Sequence, residues 1–315
     1  MKIVVVIPSY KTSAHVVSVV KSIGKEVSQI IVVDDACPEG SGKLVLSSVK
    51  DKRVSVLFHS SNQGVGGAMV TGYKAALAAG ADIVVKVDGD GQMDPADIPM
   101  LVKPIIERRA DYTKGNRFDS LEDLEAMPRV RIFGNAVLSL MSKVSTGYWN
   151  ITDPTNGFIA IHRSVLSRVH LEKLAKNFFF ESDMLFRLSL IKAVVLDVAM
   201  SARYGTEKSN LKISRVIFDF PGRHVVNHMK RIFYSYYLRE WSVSSIELPA
   251  GIILFFWGLI FGSTTWITNA AAGVVTPVGP VMLSAVPLIL GFQLILAFVS
   301  YDVASEPKIP RQLES

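Results

Sequence analysis

Asp88, Asp90 and Gln92 stand two residues apart, with Gly89 and Gly91 between them, directly after the run Val84-Val85-Lys86-Val87. Alternate residues of an extended chain point the same way, so Asp88 and Asp90 can present two carboxylates to one point. The glycines clear the approach, and Gln92 adds a neutral oxygen. These hard oxygens suit a divalent cation, Mg²⁺ or Mn²⁺, that keeps most of its coordination for water and phosphate. For this stretch alone the alternative is a solvated acidic turn closing a strand. A metal–carboxylate site fits two reactions: transfer from a nucleotide-activated donor, the metal neutralising the diphosphate leaving group, and hydride transfer with a dinucleotide. The second needs a Gly-rich turn right after the first strand, where this chain has Pro8-Ser9-Tyr10. Gly64-Val65-Gly66-Gly67-Ala68-Met69 lacks the final glycine and follows the third strand, and no Walker A loop is present. Hydride chemistry is disfavoured.

The elements that position these residues alternate regularly. Apolar runs predict strands at 3–7, 30–33, 54–58, 83–87 and 111–114. Helical patterns lie between them at 14–27, 44–49, 62–79 and 95–109. Such alternation with Val/Ile runs implies an α/β fold with a mostly parallel sheet and helices on both faces. Ligands then sit beyond the carboxyl ends of the strands. Pro8/Tyr10, Asp34/Asp35, Asn62–Gly67, Asp88–Gln92 and Gly115–Arg117 all fall there, so five polar or glycine-rich loops converge on one rim. Beyond them a helix is predicted over 128–144, a turn at 153–158 into a strand at 159–162, a helix over 178–192, a strand over 194–200 and a charged loop at 202–209.

The last third changes character. The chain has 315 residues, 49% of them hydrophobic, and its mean hydropathy of +0.32 is concentrated at the C-terminal end. Residues 248–268 and 279–301 carry no charge, and each stretch is long enough to cross a hydrocarbon core of roughly 30 Å. The connector 269–280 has no Lys or Arg, whereas Lys230, Arg231 and Arg239 precede the pair and Lys308 and Arg311 follow it. The positive-inside tendency then puts both termini and the catalytic part in the cytoplasm. A buried soluble helical hairpin is the alternative. Residues 210–241 hold six Lys/Arg against two acids, interleaved with aromatics, as segments lying on a membrane surface do. The formal charge is +6, and because most of that excess sits just before an apolar segment, nucleic acid is the weaker reading of it. The single cysteine, Cys37, excludes an internal disulfide framework and a cysteine-based zinc site. The expected organisation is therefore a catalytic domain over 1–210, juxtamembrane helices over 211–246, two transmembrane helices within 247–303, and a cytoplasmic tail over 304–315.

Val5-Val6-Ile7-Pro8-Ser9-Tyr10, Val33-Asp34-Asp35, Asn62-Gln63-Gly64 and Asp88-Gly89-Asp90-Gly91-Gln92-Met93-Asp94-Pro95 resemble, in this order, the motifs of GT-A (Rossmann-like) family 2 glycosyltransferases. Asp153-Pro154-Thr155-Asn156-Gly157-Phe158, Phe180 to Arg187, and Arg203-Tyr204-Gly205 with Lys208-Ser209 resemble the branch of dolichol-phosphate mannose synthases and bacterial polyprenyl-phosphate glycosyltransferases. The chain departs from the family at Lys11-Thr12, where Asn-Glu is usual, at Gly91, where an apolar residue is usual, and at Asp183, where this branch tends to have Glu.

The resemblance implies inverting, metal-dependent transfer from a UDP- or GDP-sugar to a polyprenyl phosphate of undecaprenyl or dolichyl type, for envelope glycan assembly. In that reading Pro8, Tyr10, Asp35, Gly64 and Asp88 bind the donor. Asp88, Asp90 and Gln92 surround the metal, and Asp90, Arg117 and Asp183 are catalytic. Arg117, Arg131, Arg203 and Lys208 hold the acceptor phosphate and the leaving diphosphate. The alternatives are transfer to a lipid-linked saccharide and a membrane-tethered binding module without turnover. Blander readings stand beside several residues: Asp34 as a turn cap, Gly64, Gly66 and Gly67 as packing glycines, and Arg131 and Arg187 as surface charges. Glu181 and Asp183 as a solvated face and Asp94 as a helix cap belong with these. Hairpins of two chains are also able to pack into a homo-oligomer.

Overall fold

The structure is a computed structural model that describes residues 1–118, 129–200 and 213–314, without the side chains of 129–131 and 213–218. It divides into two compact units, one of residues 1–231 with 307–315 and one of residues 232–306.

In the first unit, seven strands among the described residues form one sheet: β1 (Ile3–Ser9), β2 (Gln29–Asp34), β3 (Val54–Phe58), β4 (Ile83–Lys86), β5 (Tyr112–Asn116), β6 (Ile159–His162) and β7 (Val195–Ala199). Their spatial order is β3-β2-β1-β4-β6-β5-β7. Every pairing is parallel except those of β6, which runs antiparallel to both β4 and β5. The expectation of a mostly parallel sheet is met, and the exception has a local cause. β6 starts from the turn at 153–158, on the rim where β4 and β5 end, and must run back down the sheet.

Burial on both faces explains the unbroken Val/Ile runs. Val4 and Val6 of β1, Val84 of β4 and Tyr112 of β5 pack against α3 (Gly64–Ala78) and α6 (Phe180–Leu190). Ile3, Val5, Ile7 and Val85 face the other way, against α1 (Val16–Ser22), α2 (Ser41–Ser48) and α4 (Ile98–Ile106). A three-residue turn of 3-10 helix, Pro95–Asp97, precedes α4, and there Asp94 caps the chain by accepting from Ala96 N at 3.1 Å, with Pro95 next to it. That is the capping role read from Asp94-Pro95. The helix α5 (Arg129–Thr146) covers the expected 128–144 region.

The final residues of the chain are not a free tail. Asp111, fully buried, accepts from Arg311 N at 2.8 Å, Gln312 N at 2.9 Å and Val194 N at 2.9 Å. Gln312 Nε2 in turn donates to Ala110 O at 2.6 Å. One carboxylate thus satisfies backbone donors from two distant segments, which is why 307–315 belongs to the catalytic unit.

Helix α7 (Ile213–Phe233) runs through the expected juxtamembrane region and is followed by a π-helical stretch, Tyr234–Arg239. The second unit is dominated by α8 (Ser244–Ala271) and α9 (Val278–Ala304), of 28 and 27 residues, each with an 18-residue stretch of mean hydropathy 1.8 and 2.3 respectively. Both are long and apolar enough to cross a membrane, and both exceed the expected spans. Their axes approach closely because small residues meet. A methyl group on Gly291 would lie 2.4 Å from Phe255 N, and one on Gly258 would lie 2.6 Å from Ser284 O. Ser284 Oγ donates to Gly258 O at 2.9 Å, the pattern of helix pairs that pack without a hydrophobic driving force between them. At the base of the pair, Tyr236 donates to the buried Asp302 at 2.5 Å.

Replacing Asp111 by Ala leaves three buried N–H groups without their acceptor. It is expected to destabilise the catalytic unit by roughly 3 kcal/mol, read as a fall in the denaturation midpoint, whereas Asp302→Ala leaves that transition in place.

Candidate active site

The pleat places two lysines beneath the rim. Lys86 shares the face of Val84, and Lys114 that of Tyr112, because alternate strand residues point the same way. Both are register partners of Ile159 on β6, so they flank it in one row. Both are buried; Lys86 is 1% exposed. A buried ammonium is tolerated only where carboxylates and carbonyls surround it, and the turn at 153–158 supplies much of that cradle. Lys114 Nζ donates to Asn156 O, and Lys86 Nζ donates to Gly157 O at 3.2 Å. Arg117, just past β5, grips Asp153 with two nitrogens, Nε to Oδ2 at 2.7 Å and Nη2 to Oδ1 at 2.9 Å. Three cations from two strand ends therefore converge on one six-residue turn.

Lys86 completes its shell with two acids, Asp88 Oδ1 at 2.7 Å and Glu181 Oε1 at 3.4 Å. Burial pushes its pKa down, but the Asp88 and Glu181 carboxylates outweigh that and hold it above the ordinary lysine value. For Lys114 burial prevails over its carboxylate neighbours, and the pKa falls to about 8. On β7, burial pushes Asp197 up to about 6 although Thr152 N donates to it at 2.7 Å.

The rim residues read from the sequence fall in three groups. Asp88, Asp90 and Gln92 stay together after β4. Asp90 Oδ1 accepts from Gln92 N at 3.0 Å across a tight turn in which Gly91 takes a φ of +80°. Asp88, expected among the metal ligands, has Lys86 Nζ 2.7 Å from its Oδ1. Asp90 and Gln92 remain as hard-oxygen donors, half-buried and exposed respectively. Among the described residues no three His, Cys, Asp or Glu side chains cluster to hold a cation by themselves. One carboxylate and one amide oxygen fit a Mg²⁺ or Mn²⁺ ion that draws its other ligands from a diphosphate and water. Pro8 ends β1 on this rim, and Tyr10 stands exposed above it with Lys11 Nζ 5.6 Å from its ring centre.

A second group is anchored in the protein. Asp34 caps the following turn, accepting from Cys37 N and Gly42 N at 2.7 Å each. Asp35, expected to contact a base directly, accepts from Gln63 N and Gly64 N at 2.8 Å and from His59 Nδ1 at 2.7 Å. It holds the 63–64 turn. On the side a Cβ would take, Gly64, expected among the donor-binding residues, faces the chain's own atoms. A methyl group there would lie 2.4 Å from Lys176 O, and one on Gly66 would lie 2.0 Å from Ala175 O. Packing is what these glycines permit. Asp183, expected to be catalytic, has its Oδ2 accepting from Ala175 N at 2.9 Å and Arg187 Nε at 3.0 Å. Positions two apart on a helix face in different directions, so Glu181 meets Lys86 whereas Asp183 borders an open groove of about 440 Å³ lined by Phe179, Arg187, Arg223 and Lys230. Neither is a solvated charge. Arg117, expected to be catalytic and phosphate-binding, has Nε and Nη2 on Asp153.

The third group, Arg203, Lys208 and the side chain of Arg131, lies outside the described residues. Sequence reasoning passed over Lys86 and Lys114. The signal was available: Lys86 is the one charge inside the run 83–87.

Asp197 binds a proton more readily folded than unfolded, since its pKa rises from 3.8 to about 6. Its contribution to stability is therefore present below the lower value and lost as pH rises through the higher one. Thermal unfolding between pH 4 and 6 is expected to show this decline, and Asp197→Asn to flatten it.

Residues 4–169, more than half of the chain, match the family model described as Glycosyl transferase family 2. The chain is 29% identical over 232 residues to the UDP-N-acetylglucosamine–dolichyl-phosphate N-acetylglucosaminyltransferase of Methanococcus voltae, covering 69% of this chain and 92% of that protein. It is 28% identical over 208 residues to the undecaprenyl-phosphate mannosyltransferase of Micrococcus luteus, covering 64% and 83%. In fold it is similar to glucosyl-3-phosphoglycerate synthase from Mycobacterium tuberculosis, solved with Mn²⁺, uridine diphosphate and phosphoglyceric acid. That match has a TM-score of 0.54 and 18% identity over 73% of this chain and 78% of the other. Because the family model covers more than half of it, the chain belongs to Glycosyl transferase family 2, as a glycosyltransferase related to the polyprenyl-phosphate sugar transferases.

Proposed function

We propose that this protein transfers a sugar, with inversion, from a UDP- or GDP-sugar to a polyprenyl phosphate at the cytoplasmic face of a membrane, for cell-envelope glycan assembly. The observation that carries the reading is the joint presence of the Asp88-Gly89-Asp90-Gly91-Gln92 rim and a pair of helices able to cross a membrane. A water-soluble activated donor and a membrane-bound acceptor require both. The names of the two relatives, which state dolichyl phosphate and undecaprenyl phosphate as acceptors, support the acceptor class. The cations that flank the apolar pair on both sides, and their absence from 269–280, support a cytoplasmic catalytic unit.

An oxygen of the acceptor phosphate attacks the anomeric carbon from the side opposite the nucleotide. The carbon–oxygen bond to the diphosphate breaks, and its electron pair leaves with the diphosphate. The acceptor is already anionic at neutral pH, so no general base is required, and the demand is for positive charge around two anions. Asp90 and Gln92 would hold the divalent cation, which when bound neutralises the leaving diphosphate. Asp88 receives the nucleoside, and Pro8, Tyr10 and the 63–64 turn held by Asp35 shape the base pocket. Arg131, Arg203 and Lys208 are the cations assigned to the phosphates, guanidinium forks binding two oxygens at once.

The test is transfer of radiolabel from UDP- and GDP-sugars, offered in turn, to undecaprenyl phosphate in membranes holding the full chain. Label in the organic phase that requires Mn²⁺ or Mg²⁺, is abolished by EDTA and falls about 100-fold in Asp90→Asn is the expected result. Metal-dependent nucleotide binding without lipid label overturns the lipid-phosphate acceptor and favours a glycosylated one or a binding module.

A further inference from the structure

We propose that Lys86 is a positioning residue for donor binding: its buried ion pair holds the Asp88 carboxylate in the orientation that receives the nucleoside. In this proposal Gly157 is glycine because that ion pair occupies the space a side chain would need. The inference rests on the donor reading above and extends it to residues that no motif assignment has given a role.

The ammonium of Lys86 has no access to solvent or to a ligand, whereas the Asp88 side chain is 28% exposed. Lys86 therefore acts on anything at the rim only through Asp88, its nearest acid at 2.7 Å. The geometry around the pair is closed. A methyl group on Gly157 would lie 2.3 Å from Lys86 Nζ and 2.5 Å from Asp88 Oδ2. Gly157 O takes a further hydrogen bond from Lys86, so the turn at 153–158 fixes the ammonium, and the ammonium fixes the carboxylate. The sulfur of Met93 lies 3.4 Å from Asp88 N, which adds a second restraint on the same residue.

Two chemical consequences follow. With its charge compensated, Asp88 is suited to accept hydrogen bonds from neutral hydroxyl groups, such as those of a ribose. A carboxylate fixed before the ligand arrives loses little entropy on binding, so Lys86 acts on affinity for the donor more than on the bond-breaking step. The rival explanation is that Lys86 exists only to neutralise Glu181, 3.4 Å away on α6.

The two explanations separate in the double variant Lys86→Met/Glu181→Gln, which removes both interior charges together and is compared with Glu181→Gln alone. UDP and GDP, each with Mn²⁺, are titrated calorimetrically into the full-length protein in detergent, and steady-state transfer is measured alongside. Relative to Glu181→Gln, the double variant is expected to unfold at the same temperature but to bind the nucleoside diphosphate about tenfold more weakly. The donor KM should rise by a similar factor, and kcat should stay within about threefold, the signature of lost ground-state binding. Gly157→Ala, which leaves both charges in place, is expected to weaken the same nucleotide. Equal nucleotide affinity in Glu181→Gln and the double variant overturns the role of Lys86 while leaving the donor reading intact. Failure of the wild type to bind either nucleotide with Mn²⁺ overturns the donor reading, and the proposal falls with it.

Discussion

The catalytic unit depends on burying lysine ammonium groups inside an α/β sheet. Lys86 and Lys114 sit in one row on either side of Ile159, on a face otherwise made of Val, Ile and Tyr. Desolvating such charges costs several kcal/mol each unless compensating groups are fixed nearby. That requirement dictates much of the rim. The turn at 153–158 offers carbonyls at 156 and 157 and a carboxylate at 153, β4 runs on into Asp88, and α6 turns Glu181 inward. The antiparallel strand β6 is part of the same solution, since it carries that turn up to the ends of β4 and β5.

This network couples places far apart in sequence. A nucleotide bound over Asp88 would rest on a carboxylate whose orientation is set by Lys86, and through it by Gly157 and Glu181. The neighbouring Arg117–Asp153 pair ties β5 to the same turn. Residues that look like ligands in a motif can thus be supports. Asp35, Asp183 and Arg117 all have their hydrogen-bonding groups directed at other parts of the chain, and each holds a loop in place.

The second unit solves a different problem. Two helices of apolar sequence gain little from water exclusion against each other in lipid, so they associate through close packing and local polar contacts. Gly251, Gly258 and Gly291 allow that approach, and the Ser284 hydroxyl finds its acceptor on Gly258. Asp302, an acid at the end of an apolar helix, is matched by Tyr236 from the π-helical stretch. The chain returns from this unit at residue 307, and its last residues are held by Asp111.

The sequence by itself determined the layered α/β fold, the strand and helix positions to within a few residues, the rim on which the acids gather and the two apolar helices. These follow from local periodicity: Val/Ile runs bounded by Gly, Pro and Asp, and uncharged stretches of membrane length. It also determined the caps, because Asp34 and Asp94 act on backbone groups only a few residues away. Which partners each acid meets inside the protein was decided by the tertiary structure alone. Asp88 and Asp90 look alike in a motif, and only the arrival of Lys86 beside one of them tells them apart. Asp183 and Glu181 are two residues apart, but the helix turns them to different partners. The partners that settle these roles, such as Gly157 for Lys86 and Ala175 for Asp183, are brought close by the fold, and no local pattern encodes a charge's environment when its neighbours come from other strands.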